Sequence, residues 1–215
     1  MTGDARHAVW QSLTARRAWD DPSAKATGAE GVRVHGADGV ARLCATSGLW
    51  NVPLGYGNAA VADRVAEALR SASYLSLFRS SHTYAEEAAE ALIDITGAER
   101  FARVLFSTSG SAANDLTMKL VRQAAALRGS PERAIVVGLH GGYHGLTYGA
   151  LSLSGDPLGQ AVYSADRRGV RHVSAVDGGA QLRQLFAREG ERIAALVLEP
   201  LLGSGAFPLD DDFLA

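Results

Sequence analysis

Two periods organise the apolar residues of this chain. From residue 101 onward, short unbroken apolar runs ("FARVLF", "RAIVVGL" and "RIAALVLEP") alternate with stretches in which apolar residues return every three or four positions. The first kind predicts buried strands and the second predicts helices. One helix is expected over 112–127, stopped by "RGSP", with Ala113, Leu116, Leu120, Ala124 and Leu127 forming one buried stripe. A second is expected in "GGAQLRQLFAREG", and the glycine-rich "HGGYHGLTYGALSLSG" between them reads as a loop. Buried strands alternating with helices predict the α/β class with a parallel sheet.

The upstream part is patterned differently. Residues 5–19 read as a short amphipathic helix, followed by the polar stretch "DDPSAKATGAEG". "GVRVHGADGVARLCA" predicts a hairpin turning at Ala37-Asp38-Gly39, because Asp-Gly tolerates positive φ. "NAAVADRVAEALRSA" predicts a helix capped by Asn58, with Val61, Val65, Ala68 and Leu69 on one face. Thr83 and Glu86 have the spacing of a capping box for a helix running to about Gly97. The expected organisation is an N-terminal segment over 1–57 and a larger domain over 58–215. After the strand at 194–198 the chain runs "LLGSGAFPLDDDFLA", so the predicted sheet is short of strands.

Composition narrows the class. With 47% hydrophobic and 20% charged residues, the 215-residue chain has the balance of a globular protein with a proper core. A net charge of -2 offers no electrostatic attraction to nucleic acid or an anionic membrane. No apolar run approaches membrane-spanning length, and the single cysteine, Cys44, fits a cytoplasmic protein. The only lysines are Lys25 and Lys119.

The candidate chemistry begins at "FSTSGSAANDLTMK", where a run of small hydroxyl residues and Gly110 joins a predicted strand to a predicted helix. A helix N-terminus presents unpaired N–H groups and the positive end of the dipole, which suits phosphate. Gly110 would let that anion approach, Ser109 and Ser111 would add hydroxyl donors, and Asn114 lies one turn further in. The same residues equally suit a plain helix cap, and taken alone they favour it. Other motifs carry less. "GYGNAA" fits G-x-G-x-x-A but follows the proline-containing "WNVPL" rather than a buried strand. No lysine follows a glycine cluster as in a P-loop, no G-x-S-x-G occurs, and "GGY" between His140 and His144 spoils a zinc-binding helix.

Four segments in order, "SGLWNVPLGYGNAAVADRVAEAL", "FSTSGSAANDLTMKL", "GGYHGLTYGALSLSG" and "IAALVLEPLLGSG", resemble the class III (ω-amino acid) aminotransferases, which are pyridoxal-phosphate enzymes of fold type I. The likeness covers nearly the whole chain from the hairpin onward. It implies an incomplete fold-type-I sheet with flanking helices, a homodimer in the full-length family, and amino transfer between an amine donor and a carbonyl acceptor. It further implies that Gly110, Ser111 and Asn114 hold the cofactor phosphate and that Tyr143 stacks on the pyridine ring. His144 would support that surrounding, and Glu199 would lie beside the cofactor. Trp50 would line the substrate pocket, although a core tryptophan fits nearly as well, and Arg79 would stand near the active-site mouth. Ala112 and Asp115 depart from the acid and the glutamate common in the family.

The family also needs a lysine that bonds the cofactor and an acid on the pyridine nitrogen; both would lie beyond Ala215. Lys119, more than two turns into the phosphate helix, and Lys25, in the polar stretch, suit neither role, and nothing aims Asp210, Asp211 or Asp212 at a ring. No catalytic residue is therefore assigned within the chain. The resemblance leaves three readings: a truncated enzyme, a split enzyme completed by a complementary C-terminal half, or a non-catalytic half-domain that binds such a partner. "SGLWNVPLGYGN" and "VLFSTSGSAAND" resemble most the aminotransferases of daptide-type ribosomal peptide biosynthesis, which implies a peptide C-terminal ketone as acceptor.

Overall fold

Asp38-Gly39 turns the chain as its chemistry requires. Strand β2 (Arg33–Gly36) pairs antiparallel with β1 (Ala26–Glu30) and with β3 (Ala41–Leu43). At the turn, Gly36 N–H donates to Val40 C=O at 3.0 Å while Gly39 takes φ 77°. The computed structural model describes residues 8–12 and 14–214. The chain divides into two compact units, Met1–Ala91 and Leu92–Ala215.

The first unit holds the three-stranded sheet, a one-turn helix α1 (Ser47–Trp50) and helix α2 (Ala59–Ser71), whose first turn is capped by Asn58 accepting from Val61 N–H at 3.1 Å. Helix α3 (Thr83–Thr96) begins here. Its cap differs from the predicted one: Thr83 already lies inside the helix, and the His82 ring accepts from Ala85 N–H at 3.2 Å. A histidine nitrogen can replace a capping hydroxyl whenever it is unprotonated. Of the helix expected over 5–19, residues 5–7 and 13 lie outside the described residues. The described remainder forms only a 3-10 turn at Arg16–Ala18. A short helix without a packed face is marginal, so patterning alone does not hold it.

The second unit is built on three parallel strands in the order β5-β4-β6 (Val170–Val173, Ile135–Leu139 and Ile193–Leu196). Strand β4 is buried throughout. Its odd residues, Ile135, Val137 and Leu139, join Val173, Ile193 and Leu185 of helix α6 (Ala180–Glu189). Its even residue Val136 packs with Val170, with Met118 of helix α4 (Gly110–Leu127) and with Leu153 of helix α5 (Tyr148–Leu153). Alternating burial on two covered faces is what makes a central parallel strand continuously apolar. A β-hairpin, β7 (Leu201–Leu202) with β8 (Phe207–Pro208), and the short helix α7 (Asp211–Leu214) follow.

Three further expectations are corrected. "FARVLF" forms no strand among the described residues, and Phe101, Leu105 and Phe106 stay exposed. An apolar run becomes a strand only where a neighbour takes its backbone hydrogen bonds. The buried face of α4 is also rotated from the predicted stripe. Met118 and Ala125 are buried, whereas Leu120 and Leu127 are 44% and 81% exposed. The segment expected as a glycine-rich loop also contains helix α5, whose Leu151 and Leu153 are buried, and strand β5 was not legible in the pattern. The polar residues of "VRHV" hide a strand, because Arg171 is held by Glu189 at 2.7 and 3.1 Å.

Candidate functional site

The seam at Ser109 is a cap, and it also leaves donors free. Ser109 Oγ accepts from Ala112 N–H at 3.1 Å, and Ser109 C=O accepts from Ala113 N–H at 2.9 Å. The helix offers no partner to the N–H groups of Gly110 and Ser111, which open its positive end. A Cβ at Gly110 would meet nothing within 4 Å, so the approach is clear. Capping and anion binding are thus compatible, because they use different donors of one helix turn.

The loop after β4 is tied to that turn. Asn114 Nδ2 donates to His144 C=O at 2.7 Å, Leu146 N–H donates to Ser111 Oγ at 3.2 Å, and Thr147 Oγ1 donates to Ser111 C=O at 3.3 Å. Gly145 makes this closeness possible: it takes φ 125°, and a Cβ there would lie 2.6 Å from Ser111 Cβ. One amide hydrogen of Asn114 therefore positions the loop. Tyr143, 44% exposed, immediately precedes His144 in this tethered loop.

Glu199 fixes the same loop from the other side. Its Oε1 accepts from Tyr143 N–H at 2.8 Å and its Oε2 from Gly203 N–H at 2.9 Å, so one carboxylate joins the segments after β4 and β6. His144 is buried; its N–H donates to Ser154 Oγ at 2.9 Å, and burial pushes its pKa down, with Glu199 partly opposing. Beneath lies a buried polar group that the sequence reading missed. Ser154 Oγ can donate to Ala150 C=O, and Gln160 Nε2 donates to Asp156 C=O at 2.6 Å. Asp115 accepts from Ala150 N–H at 2.7 Å, capping α5 from another helix.

Gly110, Ser111, Asn114, Tyr143, His144 and Glu199 therefore come together in the second unit. Trp50 and Arg79 belong to the first. Trp50 is 70% exposed, which removes the core reading, and it ends a turn in which Ser47, Gly48, Leu49 and Trp50 all take positive φ. Arg79 also takes positive φ, at 60°. Lys119 is exposed on α4, roughly 13 Å along the axis from Gly110.

Residues 15–215 match the sequence profile of the family described as class-III aminotransferase. The chain belongs to the class III aminotransferases. It is 30% identical over 204 residues to a putrescine–pyruvate aminotransferase of Pseudomonas aeruginosa, covering 86% of this chain and 44% of that protein. An acetylornithine aminotransferase of Mycobacterium bovis is 31% identical over 198 residues, 90% of this chain and 45% of its own length. An amine transaminase from an uncultivated Pseudomonas species, solved in its pyridoxal-phosphate-bound form, superposes with TM-score 0.86 at 27% identity, covering 98% of this chain and 52% of that one. The chain thus spans about half the length of the class III relatives it matches. The fold-type-I architecture expected from the sequence is the one observed. No helix among the described residues is long and apolar enough to cross a membrane.

Proposed function

We propose that this chain supplies the cofactor-holding half of a class III aminotransferase, with pyridoxal phosphate as the cofactor. The observation that carries this reading is the helix opening at Gly110 and Ser111, tied by hydrogen bonds to the loop that carries the half-exposed Tyr143. The two free N–H groups and the dipole end would receive the phosphate dianion, and Tyr143 would supply an aromatic face for the pyridine. Glu199 holds the Tyr143 backbone in place, and Asn114 fixes the loop from the helix side. The bound cofactor supplies an electron sink for moving an amino group from an amine or amino acid to a carbonyl compound. Trp50 and Arg79 are proposed to contact substrate.

The lysine and the acid of this chemistry are assigned to a complementary C-terminal segment or chain within a homodimeric enzyme, since Lys119 is exposed and far along α4. Among acceptors, a peptide C-terminal ketone is the one favoured by the resemblance of "SGLWNVPLGYGN" and "VLFSTSGSAAND" to the daptide-type enzymes.

Titration of the purified chain with pyridoxal phosphate, followed by borohydride reduction and peptide mass analysis, tests this. Reversible binding is expected, weakened about tenfold or more by Gly110→Asp, which sets a negative charge at the helix opening. A stoichiometric adduct on Lys25 or Lys119 would show that the lysine has been misplaced. Failure of the unmodified chain to bind would remove the reading itself.

A further inference from the structure

A cleft of about 530 Å³ opens in the second unit between the residue that follows β4, the segment after α5 and the approach to β5. None of Gly110, Ser111, Asn114, Tyr143, His144 or Glu199 lines it. Two opposite charges do: Asp156, half-buried, and Arg167, exposed. Arg167 Nη2 donates to His172 Nδ1 at 3.0 Å, and His172 Nε2–H donates to Leu153 C=O at 2.8 Å, so a fixed imidazole orients the guanidinium. That bond uses one of five guanidinium N–H groups, and Arg167 makes no other hydrogen bond or ion pair among the described residues. Asp156 is fixed through its backbone. Its C=O accepts from Gln160 Nε2 at 2.6 Å and from Leu158 N–H at 2.9 Å, while Gly155 N–H donates to Gly142 C=O at 2.8 Å. A Cβ at Gly155 would collide with Leu139 C=O, so glycine lets this segment press against the end of β4. The Asp156 carboxylate itself accepts no hydrogen bond among the described residues. The His140 ring, also lining the cleft and 5.8 Å from the His172 ring, has no hydrogen-bond partner among them either. Opposite charges in one cleft attract, and mobile ones would close on each other. Asp156 and Arg167 are instead held without pairing.

We propose that this cleft binds a small zwitterionic amino acid, its carboxylate on Arg167 and His140 and its ammonium on Asp156. The volume lies within the range of small-molecule sites, and a guanidinium–carboxylate contact is both charge-assisted and directional. Pro157 and Ala161 add an apolar wall for a short side chain. A ligand with a single charge would leave the other fixed charge unmatched. The inference needs no cofactor and does not rest on the function proposed above.

Ligand-observed saturation-transfer NMR on the full chain without cofactor, with L-alanine as the probe, tests this. Saturable binding with a Kd of about 1 mM is expected, weakened about fivefold or more by Arg167→Gln and by Asp156→Asn. Propionate and ethylammonium, each alanine less one charge, should bind at least about fivefold more weakly than L-alanine. That comparison uses the unmodified chain, so it stands even if a variant fails to fold. Propionate matching L-alanine would reduce the cleft to an anion site, and ethylammonium matching it to a cation site; either overturns the proposal. No saturable signal up to about 100 mM, or L-alanine binding unchanged in either variant, overturns it equally. L-alanine bound as expected by a chain that takes up no pyridoxal phosphate would uphold this inference and remove the functional one.

Discussion

The Cys44 sulfur accepts from Gly48 N–H at 3.2 Å and lies 3.4 Å from the Tyr56 hydroxyl. Donation from Tyr56, then from Gly48, brings the thiol down to about 7 from its usual value of 9.0. Alkylation by iodoacetamide, followed by mass spectrometry across pH, should therefore reach half its maximal rate near pH 7. Tyr56→Phe should move that midpoint upward. His172 is constrained in the opposite sense. Arg167 can only donate, so His172 Nδ1, 3.0 Å away, accepts; the carbonyl of Leu153 can only accept, so Nε2, at 2.8 Å, carries the proton. Burial, reinforced by Arg167, His140 and His144, lowers its pKa below 6.5 and outweighs the Leu153 bond. The unfolded chain then binds protons before the folded one as pH falls. Stability held above pH 6.5 should decline from there down through the lowered native value. Denaturant midpoints between pH 7.5 and 5 would show this slope, and His172→Gln should flatten it.

At the scale of elements, short pieces are held by neighbours rather than by their own propensity. Helix α5 has six residues, too few to stand alone, yet its side chains Leu151 and Leu153 are buried and its Ala150 N–H is satisfied by Asp115 of α4. Leu153, fully buried between Met118 and Val136, should cost about 2–5 kcal/mol when cut to alanine, read by urea denaturation of the chain. α1 makes a related point: four consecutive residues of positive φ are unfavourable for L-residues other than glycine, and three of these four are not glycine. The bonds that fix them are Trp50 N–H to Thr46 C=O at 2.9 Å and Gly48 N–H to Cys44.

For the molecule as a whole, apolar surface left uncovered should dominate behaviour in solution. On α4, Leu120 and Leu127 are exposed on the face that patterning predicted to be buried. In unit 2 the outer edges of β5 and β6 pair with no strand among the described residues. Apolar faces and open edges of this kind drive association. Light scattering on a size-exclusion column should show concentration-dependent self-association. Leu120→Glu with Leu127→Glu should reduce it, and an unchanged, strictly monomeric profile in the parent chain would contradict this reading of the surface.

Much of this was written in the one-dimensional pattern. Continuous apolar runs gave β4 and β6, the Asp38-Gly39 turn gave the hairpin, Asn58 gave the cap of α2, and "STSGS" marked the opening of α4. These are local features, fixed by φ preference, by alternation on a covered strand, and by the unpaired N–H groups of any helix start. Other features depended on partners distant in sequence. "FARVLF" has strand composition but no ladder. The buried side of α4 was set by what packs on Met118, not by which side is richer in leucine. "VRHV" became a strand because Glu189 and Leu153 satisfy Arg171 and His172. The convergence of Glu199 on Tyr143, across 56 residues of chain, has no local signature at all. Sequence alone determined which segments could form elements and where a helix would open on a capping serine. Tertiary structure decided which faces are buried and which polar groups meet, because burial and hydrogen-bond partnership belong to pairs of segments and not to either one.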